Sequence, residues 1–108
     1  MLLKIDDIGG EVVKDNDTYR LKDNTLLNNL VVSSTELKPY MSTNGHAHPG
    51  QEEVYYFIHG AGTMYLDDAE YFVQAGDVML IEDGVHHRVS CGPHGLNFVC
   101  VFDGKRNH

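Results

Sequence analysis

Apolar residues in this chain come in short runs separated by Gly, Pro, Asn and Asp. Residues 30–37 (Leu-Val-Val-Ser-Ser-Thr-Glu-Leu) are rich in β-branched side chains. They lie between Asn28-Asn29 and Pro39, which predicts a strand. Residues 41–48 form the next extended piece. Residues 54–58 (Val-Tyr-Tyr-Phe-Ile) read as a strand, with Gly60-Ala61-Gly62 as its turn and residues 63–66 as its hairpin partner. Residues 71–73 form a short strand, and residues 78–81 (Val-Met-Leu-Ile) an apolar run too short for a helix. Residues 85–91 and 96–102 are the last two strands, joined as a hairpin by Gly92-Pro93-His94-Gly95.

The first 27 residues carry weaker signals. Leu2, Leu3 and Ile5 suggest an edge strand broken by Gly9-Gly10, and Val12-Val13 another. Lys14-Asp15-Asn16-Asp17 has turn chemistry, since Asn and Asp side chains hydrogen-bond their own backbone. Tyr19-Arg20-Leu21 is short and leaves a helical turn open. Such a segment packs along a sheet edge or across a partner. Many short strands, closely spaced turns and no amphipathic helix predict an all-β sandwich or barrel. No linker or repeat interrupts the chain. The expected layout is one domain, with residues 1–27 as an edge segment, 28–103 as the barrel and 104–108 as a polar tail.

Composition narrows the function. A chain of 108 residues with 42% hydrophobic residues is long enough for one packed core. The formal charge of −8 and the lack of a basic stretch argue against nucleic acid and anionic membrane surfaces as partners. No apolar run approaches the roughly 18 residues of a membrane-spanning helix. The first residues are too short and acidic a stretch for a secretory signal. Cys91 and Cys100 form neither a CxxC motif nor a disulfide framework, so a cytoplasmic protein with reduced thiols is expected.

The chemistry concentrates in residues 46–60. On a strand, His46 and His48 face the same way, roughly 6.6–6.8 Å apart along the backbone. With a carboxylate nearby, two such imidazoles are ligands for a borderline divalent metal. The alternative is two partly exposed histidines at a strand end. A second donor segment is Gly84-Val85-His86-His87-Arg88. Alternation lets only one of His86 and His87 face inward and does not choose between them.

These residues resemble a cupin. The first motif of that family runs Gly, five residues, His-x-His, three or four residues, Glu, six residues, Gly. His46, His48, Glu53 and Gly60 fit it, and Glu53 fits better than Glu52. The second runs Gly, five residues, Pro-x-Gly, two residues, His, three residues, Asn. Gly76, Gly84 and His87 fit that one. Tyr40, Glu82 and Cys91 replace the expected first Gly, the Pro and the Asn. The resemblance implies a double-stranded β-helix, a jelly-roll-like barrel. It also implies one divalent transition metal (Fe, Mn, Ni, Cu or Zn) held by His46, His48, Glu53 and His87. His86 then points away from the metal or lies at the mouth of the site.

Closing the last hairpin symmetrically sets Cys91 opposite Leu96, Val89 opposite Phe98 and His87 opposite Cys100. Val85, His87, Val89, Phe98, Cys100 and Phe102 then share the inner face. Cys100 reads as a small buried residue close to a ligand. Cys91 lies roughly 13 Å along the strand from the partner of Cys100, so both thiols are expected to be free. Alternation from Glu53 turns Tyr55 and Phe57 inward. Tyr55 either offers its hydroxyl to a ligand or is plain core. Tyr55, Phe57, Phe98 and Cys100 are the candidate substrate-pocket residues. Tyr40, Met41, Met64, Met79 and Tyr65 are further wall residues of unresolved facing. Tyr56 and Ile58 face outward, where the resemblance implies a homodimer contact.

The expected partner is a small organic molecule, with dioxygenase-, isomerase- or lyase-type chemistry. The alternatives are a non-catalytic binding or sensing protein, or a phosphosugar isomerase like the archaeal cupin-type glucose-6-phosphate isomerases. The last needs cations for a phosphate, and Arg88 and Lys38 are the nearby candidates.

Overall fold

The computed structural model describes residues 1–104 and consists of strands and turns. The strands are β1 (Glu11–Asp15), β2 (Tyr19–Asn24), β3 (Leu30–Leu37), β4 (Glu53–Leu66), β5 (Ala69–Gln74), β6 (Val78–Ile81) and β7 (His87–Asp103). All pair antiparallel, in the order β1-β2-β3-β7-β4-β5, with β6 also on β4. No helix among the described residues is long and apolar enough to cross a membrane. Of the expected polar tail, residues 105–108 lie outside the described residues.

Two long strands organise the fold, and each replaces a predicted hairpin. Residues 53–66 form one strand rather than two around Gly60-Ala61-Gly62, and residues 87–103 form one rather than two around Gly92-Pro93-His94-Gly95. The first half of β4 pairs with β6 and with the second half of β7. Its second half pairs with β5 and with the first half of β7. The two strands therefore pass together from one sheet of a sandwich into the other.

Their register breaks at the crossing. Gly60 opposes Leu96 and Gly62 opposes Cys91, so Ala61 alone faces the four residues 92–95. Gly60 is required there. Its φ is 84°, and a Cβ on it would overlap the Gly95 carbonyl oxygen. Only a residue without a Cβ lets the two backbones approach so closely.

The core lies between the two sheets. Phe57, Leu96, Phe98 and Leu37 from one sheet pack in one cluster with Met64, Val73 and Val89 from the other. Phe57 and Met64 are fully buried. The inward set read from the last two strands holds, because His87, Val89, Phe98, Cys100 and Phe102 are all buried. Its cross-strand pairs do not. His87 faces Leu66 and His46, while Cys100 faces Tyr55 and Ser33. Neither cysteine is in a disulfide, as expected, and Cys91 Sγ donates to the Lys38 carbonyl (3.0 Å).

The N-terminal segment also differs from expectation. Residues 2–5 form no strand, only an isolated bridge between Lys4 and Asp7. Tyr19-Arg20-Leu21 starts strand β2 rather than a helical turn. Its partner β3 presents an unfinished hydrogen-bonding edge that overrides the weak local preference.

Candidate metal centre

Backbone pairing brings the histidines together. The segment before β4 lies beside β7 through bridges Ser42–Ser90 and His46–His87. His46 N–H donates to His87 O (3.0 Å), and His87 N–H to His46 O (2.7 Å). Residues directly opposite in such a pair share a face, which sets these two imidazoles side by side. His48 follows on the same face.

The chain then turns at His48-Pro49-Gly50-Gln51, closed by Gln51 N–H to His48 O (3.0 Å). Gly50 N–H donates to Asp83 Oδ1 (2.7 Å), and Gln51 Nε2 to the Asp103 carbonyl (2.9 Å). So Asp83 ties down the loop that delivers the ligands. Glu53 opens β4 between Ile81 of β6 and Phe102 of β7.

The three side chains converge out of water. Glu53 Oε1 lies 3.5 Å from His48 Nε2, and Oε2 lies 3.7 Å from His87 Nε2. His48, Glu53 and His87 each bring one donor atom within 4.8 Å of the others, and all three are buried. The fourth predicted ligand, His46, is half-buried and stands outside this tight group. Its ring centroid lies 5.5 Å from that of His48 and 5.9 Å from that of His87. His87 Nδ1 sits 3.1 Å from the Val85 carbonyl. That contact assigns the proton to Nδ1 and leaves the Nε2 lone pair facing Glu53.

A divalent ion fits this donor set. Oε1 of Glu53 is buried and makes no hydrogen bond among the described residues. A carboxylate oxygen held that way is costly unless a cation meets it. The separations of 3.5 and 3.7 Å are long for hydrogen bonds. They match the spacing of about 3.4 Å between two donors at about 2.1 Å from one tetrahedral ion. The His46 pKa is lowered to about 4, first by burial and then by the positive charge of His87, His48, Lys14 and His86. Its imidazole is therefore neutral at pH 7.

Beside this group lies a cavity of about 300 Å³. Glu53, His46, Tyr55, Phe98 and Cys100 reach its wall. Phe57, expected in the pocket, does not. It is fully buried and packs in the core at ring distances of 6.2 Å from Tyr55 and 5.6 Å from Phe98. Tyr55 stacks on Phe98 (5.0 Å) and meets His87 edge to face (5.8 Å), so it abuts the metal group. Tyr40, Met41, Met64, Met79 and Tyr65 stay out of the wall. His86 is exposed, with its ring against the backbone of Gly45.

Sequence reading missed Lys14, Ser33, Thr35 and Asn44 in the wall. Ser33 and Thr35 share the inward face of β3 with the buried Val31 and Leu37, a signal that strand periodicity already carried. Lys14 had no such signal. The two cations considered for a phosphate lie elsewhere. Arg88 stacks over the Tyr65 ring (3.9 Å) and donates to Ser42 Oγ (3.2 Å), and Lys38 pairs with Asp15 (3.8 Å).

A double-stranded β-sandwich with an inward His-Glu-His group defines the class. The family described as the cupin domain matches residues 34–102, and the chain belongs to it. The oxalate-binding protein of Thermotoga maritima is 31% identical over 67 residues, covering 61% of this chain. The match spans 55% of that relative, so the chain accounts for about half of its length. Among solved structures, KdgF from a Halomonas species superposes with a TM-score of 0.79 at 14% identity, covering 89% of each chain. An RmlC-like cupin from Shewanella frigidimarina gives 0.79 at 19% identity, covering 91% of this chain and 86% of its own. At these identities the two structures establish the shared fold.

Proposed function

We propose that His46, His48, Glu53 and His87 hold one divalent transition metal, Fe, Mn, Ni, Cu or Zn, and that the protein takes a small organic molecule into the adjoining cavity. The observation that carries this reading is the buried Glu53 carboxylate, set between two imidazoles at the cavity wall. When bound, such a metal supplies Lewis-acid or redox chemistry at coordination positions open to a ligand. The chain's own residues orient and shield it. The Val85 carbonyl fixes the His87 ring, the Tyr55 ring packs against that imidazole, and Glu53 contributes the negative charge.

The reaction, if there is turnover, is of dioxygenase, isomerase or lyase type. A second reading, a binding protein without turnover, is favoured by the relative named for oxalate binding. A phosphosugar isomerase is disfavoured, because Arg88 and Lys38 are engaged away from the cavity. A second copy of the chain is the proposed cover for the outward face of β4 and β6. There Val54 opposes Leu80 and Tyr56 opposes Val78, all four exposed, with Ile58 half-buried beyond them.

The test is elemental analysis of purified wild type and of the double variant His48→Ala/Glu53→Ala, with folding checked by circular dichroism. Stoichiometric metal is expected in the wild type and none in the variant. Wild-type metal content in a folded double variant would sink the ligand assignment. Oxygen uptake and product formation across a metabolite panel with Fe(II), Mn(II) and Zn(II) then separate enzyme from binding protein.

A further inference from the structure

Resting on that reading of the site, we propose that Lys14 of β1 is a cationic anchor for the cavity, and that the ligand is accordingly a small organic carboxylate. The inference starts from register. Glu11 opposes Asp23 and Val12 opposes Lys22, but Lys14, not Val13, opposes Leu21. Plain alternation from Glu11 would turn Val13 inward and Lys14 outward. The bulge between Val12 and Lys14 reverses this. Bulges re-aim side chains in this way and recur beside functional sites.

The row that Lys14 joins leads into the cavity. Leu21 opposes Thr35, and Thr35 opposes Phe98. Lys14, Leu21, Thr35 and Phe98 all reach the cavity wall. Lys14 is itself exposed, which places it at the mouth.

The charge of Lys14 is also uncommitted. Arg20 pairs with Asp15 (4.0 Å), Lys22 with Asp7 (3.4 Å) and Lys38 with Asp15 (3.8 Å). Lys14 has no ion pair among the described residues. In a chain of net charge −8, an inward lysine without an acidic partner suits an anion. A carboxylate fits the arrangement. One oxygen meets the ammonium at the mouth, the hydroxyls of Ser33 and Thr35 line its path, and its other end reaches the metal group. Glu53 in the same wall repels an anion until a metal offsets its charge, so binding is expected to be stronger in metal-loaded protein.

The experiment is calorimetric titration of metal-loaded protein with oxalate and malonate, and with their neutral diamides. Wild type, Lys14→Met and Lys14→Arg are compared, each checked for metal content and thermal unfolding. The acids are expected to bind wild type and Lys14→Arg, and to lose about tenfold or more in affinity for Lys14→Met at unchanged metal content. The diamides are expected to bind weakly throughout. Equal affinity of wild type and Lys14→Met for the acids overturns the anchor, as does diamide binding equal to that of the acids. Absence of acid binding by wild type overturns it as well. The metal assignment fails separately: protein that takes up no metal yet still binds acids in a Lys14-dependent way supports the anchor and refutes the ligand set.

Discussion

The crossing of β4 and β7 is where the fold is most exposed to a single substitution, and Gly60→Ala tests it. Gly60 combines two constraints that can be separated. Its φ of 84° costs an L-residue about 1–2 kcal/mol. Its Cβ would also overlap the Gly95 carbonyl oxygen and lie 3.0 Å from the carbonyl carbon and 3.2 Å from Leu96 Cα. Those are backbone atoms held in the opposing strand, so relief requires β7 to shift. Overpacking of this kind costs about 1–3 kcal/mol more.

The control is Gly76→Ala. Gly76 has φ 97° but open space around its Cβ, so it carries the first cost alone. At about 4 °C per kcal/mol for a domain near 100 residues, Gly76→Ala should lower Tm by about 4–8 °C. Gly60→Ala should lower it by about 8–20 °C. Urea midpoints at constant m-value provide a second readout. Because Glu53 and His87 lie on opposite sides of the crossing, metal content should fall in Gly60→Ala and not in Gly76→Ala. Equal losses of stability for the two variants would refute the close-approach argument.

Further expectations concern stability and pH. Tyr40 stands where the family motif has Gly, keeps a positive φ of 63° and is exposed, so Tyr40→Gly should relieve strain. After the greater entropy of an unfolded Gly is subtracted, a gain of up to about 1 kcal/mol is expected in urea unfolding; a loss of that size would contradict it. His46 in the folded, metal-free chain protonates near pH 4, below its ordinary 6.5, so between those values the unfolded state binds a proton that the folded state refuses. Stability in the presence of a chelator should therefore fall as pH drops from about 6.5 to about 4. The slope should be shallower in His46→Gln, and identical slopes would refute the assignment. With metal present, acid should also release the ion, because imidazoles must be neutral to ligate; full occupancy near pH 5 would argue against a three-histidine site.

Much of this protein was legible without its structure. Alternation placed His87, Val89, Phe98, Cys100 and Phe102 inside, and motif spacing picked Glu53 over Glu52. The alternation reading survived two wrong hairpins for a physical reason. A four-residue loop and a four-residue excursion in a continuous strand both leave Val89 and Phe98 facing the same side. Glycines at 60, 62, 92 and 95 signal a tight backbone, but not whether the chain reverses there or crosses between sheets.

Only the tertiary structure decided that, because β4 and β7 pair with each other on both sides of the crossing. It also set Phe57 behind the cavity rather than in it, since ring packing depends on all the neighbours at once. Lys14 is the clearest case. Its position in a turn-like, acidic stretch gave no hint of an inward role. A one-residue bulge against β2 turned it, and a bulge belongs to the pairing of two strands rather than to the sequence of either.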